Sequence, residues 1–156
     1  MPAPTCCFTG HRELPEEKIS EIKRRLAEEI VCLISEGVTR FAAGGALGFD
    51  TLAALAVLQM KVLFAELELT LVLPCKTQDR YWRQAEKELY REILSQADHV
   101  TYVSEQYTRG CIQKRNRLLV EGSSVCVCYC AKNQGGTAYT VQYARKKGHR
   151  VINLAE

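Results

Sequence analysis

The 156-residue chain carries 21 basic and 18 acidic side chains, a formal net charge of +3, with 47% hydrophobic and 25% charged residues. That length suits one domain and supports a core without disulfide or metal staples, and the composition excludes a largely disordered chain. The charge is too small to mark a polyanion-coating surface, but its basic excess lies in the second half, which favours a local anion site.

The first strand is expected over Thr5–Thr9. It leads into Gly10-His11-Arg12. Pro15 then opens a helix over Glu16–Ser35, with Glu16 and Glu17 suited to the positive helix start and Gly37 to its end. Ile19, Ile22, Leu26, Ile30, Leu33 and Ile34 recur mostly at spacings of three and four, one apolar stripe. A second strand is expected over Val38–Ala42 and a second helix over Thr51–Leu63. That helix is apolar almost all round, which implies burial on more than one side, by the domain or by a second subunit. A third strand over Leu67–Leu73 ends at Pro74. A third helix follows over Asp79–Gln96, with Trp82, Leu89, Ile93 and Leu94 as anchors. The remaining elements are a strand over His99–Val103, a helix over Gly110–Glu121, a strand over Ser124–Cys130, a helix over Thr137–Lys147 and a short strand over Arg150–Leu154.

Regular alternation of strand and helix implies parallel strands joined by right-handed crossovers. The expected fold is an α/β, three-layer Rossmann-like sandwich with a mainly parallel sheet, one domain over residues 1–156. Ligands in such sheets bind at the carboxyl ends of the strands, near the switch in strand order.

The eight cysteines include no CxxC pair. Cys126, Cys128 and Cys130 alternate along one strand and read as core filling on one face, not as zinc ligands. With no signal-peptide pattern at the start and no membrane-length apolar run, the expected setting is a reducing cytoplasm. No metal and no resident cofactor are expected.

Three strand-end loops can carry chemistry. The first, Thr9-Gly10-His11-Arg12, is not a GxGxxG dinucleotide loop. Gly10 permits a tight turn, and Arg12 can pair with a phosphate or stay solvated. His11 is either an acid/base or a hydrogen-bonded loop residue. The second, Ala43-Gly44-Gly45-Ala46-Leu47-Gly48-Phe49-Asp50, brings three glycines to a helix start, where backbone amides favour an anion. Asp50 either caps that helix or accepts from a ribose hydroxyl. The third, Asn133-Gln134-Gly135-Gly136-Thr137, repeats the pattern, with Thr137 able to cap the helix or bond a phosphate. In the fourth helix Ile112, Asn116, Leu119 and Val120 share a face, and Arg115 borders it. Asn116 therefore either bonds loop backbone or lines the site. Arg109, Lys114 and Arg117 read as a solvated basic surface. Gln78 and Trp82 could close one side of a pocket, Trp82 by stacking or as a core anchor.

Taken together, GHR, GGALGFDT, LPCKTQDRYW, KRNRLLVE and GGTAYTVQYA resemble, in order and over nearly the whole chain, the YpsA-type branch of the SLOG superfamily. SLOG proteins are Rossmann-like and related to the LOG phosphoribohydrolases and to DprA-type DNA-processing proteins. The resemblance implies a nucleotide or nucleotide-derived ligand, ADP-ribose- or NAD-like, held by Gly10, Arg12, Gly44, Gly45, Gly48, Asp50, Arg115, Asn116, Gly135, Gly136 and Thr137, with His11 added because it lies inside the GHR turn. LOG hydrolases resemble one another in a PGGxGTxxE motif whose Glu assists N-glycosidic cleavage. Here Thr140 stands at that position, so no catalytic residue is assigned. The expected role is a sensor or regulatory module. The first alternative is a LOG-like hydrolase using His11, Asp50 or Glu105. The second is DprA-like single-stranded DNA binding, which the small net charge and few aromatics near the basic stretch disfavour. A homodimer is a further expectation, from the second helix.

Overall fold

The computed structural model describes residues 4–156. Its strands are β1 (Thr5–Gly10), β2 (Arg40–Ala43), β3 (Glu68–Cys75), β4 (His99–Ser104), β5 (Val125–Tyr129) and β6 (Arg150–Asn153). Its α-helices are α1 (Ile19–Ser35), α2 (Phe49–Leu63), α3 (Gln84–Gln96), α4 (Cys111–Glu121) and α5 (Gly136–Lys146). Every adjacent pair of strands is parallel, in the order β4-β3-β2-β1-β5-β6. The chain moves outward from β1 to β4, then returns to β5 on the other side of β1. The switch in strand order therefore lies between β1 and β5, where this fold class leaves a crevice.

Alternation along the strands sorts two cores. Phe8, Phe41, Leu69, Leu71, Val125 and Val127 face α1, α2 and α3, where Leu26, Ile30, Phe49, Val57 and Ile93 are buried. Cys7, Ala42, Cys126 and Cys128 face α4 and α5, against Leu119, Val120, Val141 and Ala144. The cysteine face of β5 is thus core filling, as expected; Cys130, just beyond the strand, is only half-buried. The small thiols let α4 and α5 lie close to the sheet.

Several boundaries differ from the sequence-based expectation. A 3₁₀ turn, Glu16–Lys18, precedes α1, closed by the Lys18 N–H donating to the Pro15 carbonyl at 2.9 Å. β3 runs through Pro74 to Cys75 because the last β2–β3 pair is Ala43↔Leu71. On the other edge the pairing with β4 continues from Leu73↔Tyr102 to Cys75↔Ser104 and skips Pro74, which has no N–H to donate. α3 begins at Gln84, not Asp79, since residues 79–83 form turns. The Glu86 carboxylate accepts from the Arg83 backbone N–H at 2.9 Å, the return half of a capping box. Trp82 is therefore a loop residue, set edge-on to Tyr90 with ring centroids 5.0 Å apart. Leu89 is partly exposed rather than an anchor.

α2 packs as its composition implies over its first three turns, through Phe49, Ala53, Ala54 and Val57, but exposes Val62 and Leu63 at its end. Two glycines set its approach. A Cβ on Gly10 would overlap the Phe49 ring, and one on Gly48 would overlap the Arg12 carbonyl oxygen, at a backbone φ of +77°. Any side chain at Gly48 meets both that overlap and left-handed strain. No helix among the described residues is long and apolar enough to cross a membrane.

Candidate functional site

The crevice at the β1/β5 switch is a cavity of about 430 Å³. Thr9, Gly10, His11 and Arg12 come to it from β1 and the loop that follows. Asp50 comes from α2, Arg115 and Asn116 from α4, and Gly136 and Thr137 from the start of α5. Eight of the residues singled out in the sequence thus line one cavity. Gly45 and Gly48 do not. They line an adjoining, more apolar cavity of about 600 Å³ that shares Arg12 and Asp50. Gly44 lies under the site instead of in it: a Cβ there would stand 2.5 Å from Arg115 Nη1 and 2.9 Å from Asp50 Oδ2. Gly135 caps α5 at φ +101°.

Arg115 is buried, at 3% exposure, where the helical pattern had placed it at the border of a face. Two acceptors hold it inside. Its Nη1 donates to the Gly44 carbonyl, and its Nε donates to Asn116 Oδ1 at 2.8 Å. Asn116 therefore lines the site and orients the guanidinium. A buried guanidinium requires a compensating anion. Asp50 supplies one: its carboxylate and Arg115 each act electrostatically on the other.

Asp50 is 6% exposed, in the first turn of α2, and accepts from the Ala46 N–H at 3.3 Å. It thereby ties the glycine loop to the helix while still facing both cavities. Burial pushes its pKa up to about 6, against the opposing pull of Arg115 and the Ala46 N–H. Its charge therefore changes near neutral pH.

His11 is a clasp between strand ends. Its Nε2 accepts from the Ala131 N–H at 2.9 Å, so the ring is neutral with its proton on Nδ1. Partial burial, and then Lys132, lower its pKa and favour that form. Its carbonyl accepts the Phe49 N–H at 3.1 Å, which anchors α2. With Nε2 engaged, His11 is a hydrogen-bonded loop residue in this structure.

α5 starts without a side-chain cap, and its first residues, Gly136 and Thr137, face the cavity. First-turn N–H groups of a helix have no partner within it and point toward an anion. A Cβ on Gly136 would meet nothing within 4 Å. Thr140, at the position of the LOG glutamate, is buried, and its hydroxyl donates to the Gly136 carbonyl at 2.8 Å. It braces the loop and does not line the cavity. Glu105 is exposed and paired with Lys76 at 3.0 Å, away from the crevice. Two charged residues escaped the sequence reading: Glu13 and Lys132 both line the cavity. Each directly follows or precedes a loop singled out in the sequence, so an extension of those loops by a few residues would have found them.

Chemically, Arg12, Arg115, Lys132 and the α5 amides form the cationic wall, and Asp50 and Glu13 supply acceptors for hydroxyls. This geometry suits an anionic group carrying a polyol.

Comparison with solved structures supports the fold. DNA processing protein A (DprA) from Helicobacter pylori superposes with a TM-score of 0.70 at 20% identity, covering 96% of this chain and 64% of that one. DprA from Streptococcus pneumoniae gives 0.68 at 20% identity, over 96% of this chain and 49% of that protein. The chain therefore spans about half to two thirds of these larger proteins. TM1055 gives 0.60 at 17% identity, over 95% and 72%. In sequence, UPF0398 protein BH1768 of Halalkalibacterium halodurans is 31% identical over 132 residues, 83% of this chain and 70% of the relative. A UPF0398 protein of Bacillus cereus is 30% identical over 130 residues, 81% and 71% of the two chains. The YpsA model, described as the YspA SLOG family, matches residues 6–153. With that match running from β1 to β6 through every loop of the crevice, this chain belongs to the YpsA SLOG family.

Proposed function

We propose that the chain binds a phosphate-bearing nucleotide or nucleotide-derived small molecule, of the ADP-ribose or NAD kind, in the β1/β5 crevice and acts as a sensor or regulatory module. The observation that carries this reading is the convergence of Arg12, buried Arg115 and the uncapped start of α5 on one cavity at the strand-order switch. The crevice holds no arrangement of nucleophile and base in hydrogen-bond contact among the described residues, so binding is favoured over turnover.

Gly136→Asp tests the cradle. The site is open to a side chain, and an acid in the first turn favours the helix. The variant therefore folds with an unchanged or slightly higher Tm. It loses roughly ten-fold or more of its affinity for 5′-AMP, ADP-ribose or NAD, whichever binds the parent in calorimetry, through charge repulsion of about 1.4 kcal/mol or more. Unchanged affinity would remove α5 from the site.

One observation favours a second reading, hydrolysis of a nucleotide N-glycosidic bond. Asp50 is a buried carboxyl in the crevice with a pKa near 6, which suits a general acid or base. Release of free base from a panel of nucleoside monophosphates and NAD, abolished in Asp50→Asn, would establish it. Tight binding without release would leave the sensor reading. DprA from H. pylori is described by its single-stranded DNA binding mode. For this chain the net charge of +3 argues against a long phosphate track, and absence of salt-dependent binding to oligonucleotides is the expected result.

A further inference from the structure

Beside the anion crevice, and sharing Arg12 and Ile112 with it, lies a third cavity of about 520 Å³ at the carboxyl end of β3. We infer that it is the subsite for an amino-bearing nucleobase whose phosphate occupies the β1/β5 crevice. The inference rests on the anion reading above and adds the other half of the ligand.

Three features carry it. The cavity is walled by three aromatic rings, Tyr81, Trp82 and Tyr107. Tyr81 and Tyr107 are 88% and 67% exposed at the mouth; the Arg80 guanidinium lies over one face of Tyr81, 5.3 Å from its centroid, and the other face is left to a flat partner. Trp82 is held by its edge-on contact with Tyr90. Bases stack on such rings whatever their identity. Second, Gln78 lines the same cavity with its amide orientation set from behind. Its Nε2 donates to the Gly45 carbonyl at 3.3 Å and to Tyr90 Oη at 3.1 Å. Its Oε1 is buried and has no hydrogen-bond donor. A buried acceptor left unpaired is costly and calls for a donor. A ligand N–H entering between the rings supplies it when the Gln78 amide rotates Oε1 toward the cavity, exchanging the Nε2 contacts with Gly45 and Tyr90 for the new bond. An exocyclic amino group on a flat heteroaromatic ring meets both demands at once. Third, Arg12 stands at the junction of the two cavities, so one molecule can place its phosphate on the cationic side and its base on the aromatic side.

The test is calorimetric titration with three probes: 5′-AMP, ribose 5-phosphate, and purine riboside 5′-monophosphate, which lacks the amino group. Each is run against the parent and against the double variant Tyr81→Ala, Tyr107→Ala. Both tyrosines are exposed, so the variant is expected to fold. In the parent, AMP should bind roughly ten-fold or more tighter than ribose 5-phosphate. The analogue lacking the amine should fall several-fold below AMP. The double variant should bring AMP close to ribose 5-phosphate while leaving ribose 5-phosphate unchanged. Equal affinity for AMP and ribose 5-phosphate in the parent, or a base preference undiminished in the double variant, overturns the base subsite and leaves the anion site standing. Failure of all three probes to bind overturns the base subsite, and the anion site with it if ADP-ribose and NAD fail as well.

Discussion

Arg115→Ala should be among the most destabilising single substitutions in the crevice, costing about 3–5 kcal/mol. The substitution removes the donors to the Gly44 carbonyl and to Asn116 Oδ1. It also leaves Asp50 buried without its main cationic neighbour. For a chain of this size the loss corresponds to a fall in Tm of about 10 °C. Part of the cost is electrostatic, and Asp50 can escape it by taking up a proton. The loss should therefore be smaller at pH 5 than at pH 8. Thermal unfolding of both proteins at the two pH values checks this. Adding Asp50→Asn to Arg115→Ala should recover part of the stability at pH 8, with a coupling of about 0.5–3 kcal/mol. A loss below about 1 kcal/mol, or one independent of pH, would mean that the guanidinium is not an integral part of the crevice.

Asp50→Asn should change the pH dependence of folding. The folded-state pKa of Asp50, about 6, lies above its ordinary value of 3.8. The folded protein therefore holds this proton more tightly than the unfolded chain does. The resulting stabilisation is fully present below about pH 4 and is lost as pH rises through 6. A shift of this size corresponds to about 3 kcal/mol at most. The asparagine keeps an oxygen for the Ala46 N–H and carries no charge to bury. The difference in unfolding free energy between variant and parent, measured by denaturant titration, should thus grow in favour of the variant between pH 4 and pH 7. Between pH 4 and pH 8 that difference should move in the variant's favour by about 1–3 kcal/mol, on top of a pH-independent cost from leaving buried Arg115 without its counter-ion. A constant difference across that range would show that Asp50 is not the titrating group. A variant more stable than the parent at pH 8 would fit a residue kept for function rather than for folding.

These two predictions concern a pair that the sequence did not bring together. Asp50 was visible as an acid at the start of α2, and Arg115 as a cation in a basic helix. Helical spacing alone set Arg115 beside the buried face. Its burial follows from the Gly44 carbonyl, which β2 delivers to within reach of α4 across the sheet. Gly44 likewise read as a residue at the ligand. Its lack of a side chain instead leaves room for Arg115 and Asp50. His11 had two open readings until the end of β5 presented the Ala131 N–H to its ring. Gln78 and Trp82 were visible as possible pocket walls. The unpaired oxygen of Gln78 is a property of what surrounds it.

The sequence by itself determined the order and type of the elements, because each follows from local periodicity: a stripe of apolar residues for α1, short apolar runs for the strands, glycine where the chain must turn. It also determined that Gly10, Arg12, Gly136 and Thr137 stand at strand ends, and hence on one edge of any parallel sheet they build. The basic excess in the second half includes two residues that line the crevice in different surroundings: Lys132 exposed and Arg115 buried. Only the tertiary structure decided the order β4-β3-β2-β1-β5-β6, since strand neighbours are chosen by packing between distant segments. That order puts the first and last glycine loops side by side. It also decided the charge state of Asp50, because desolvation depends on what the rest of the fold excludes from around a carboxylate.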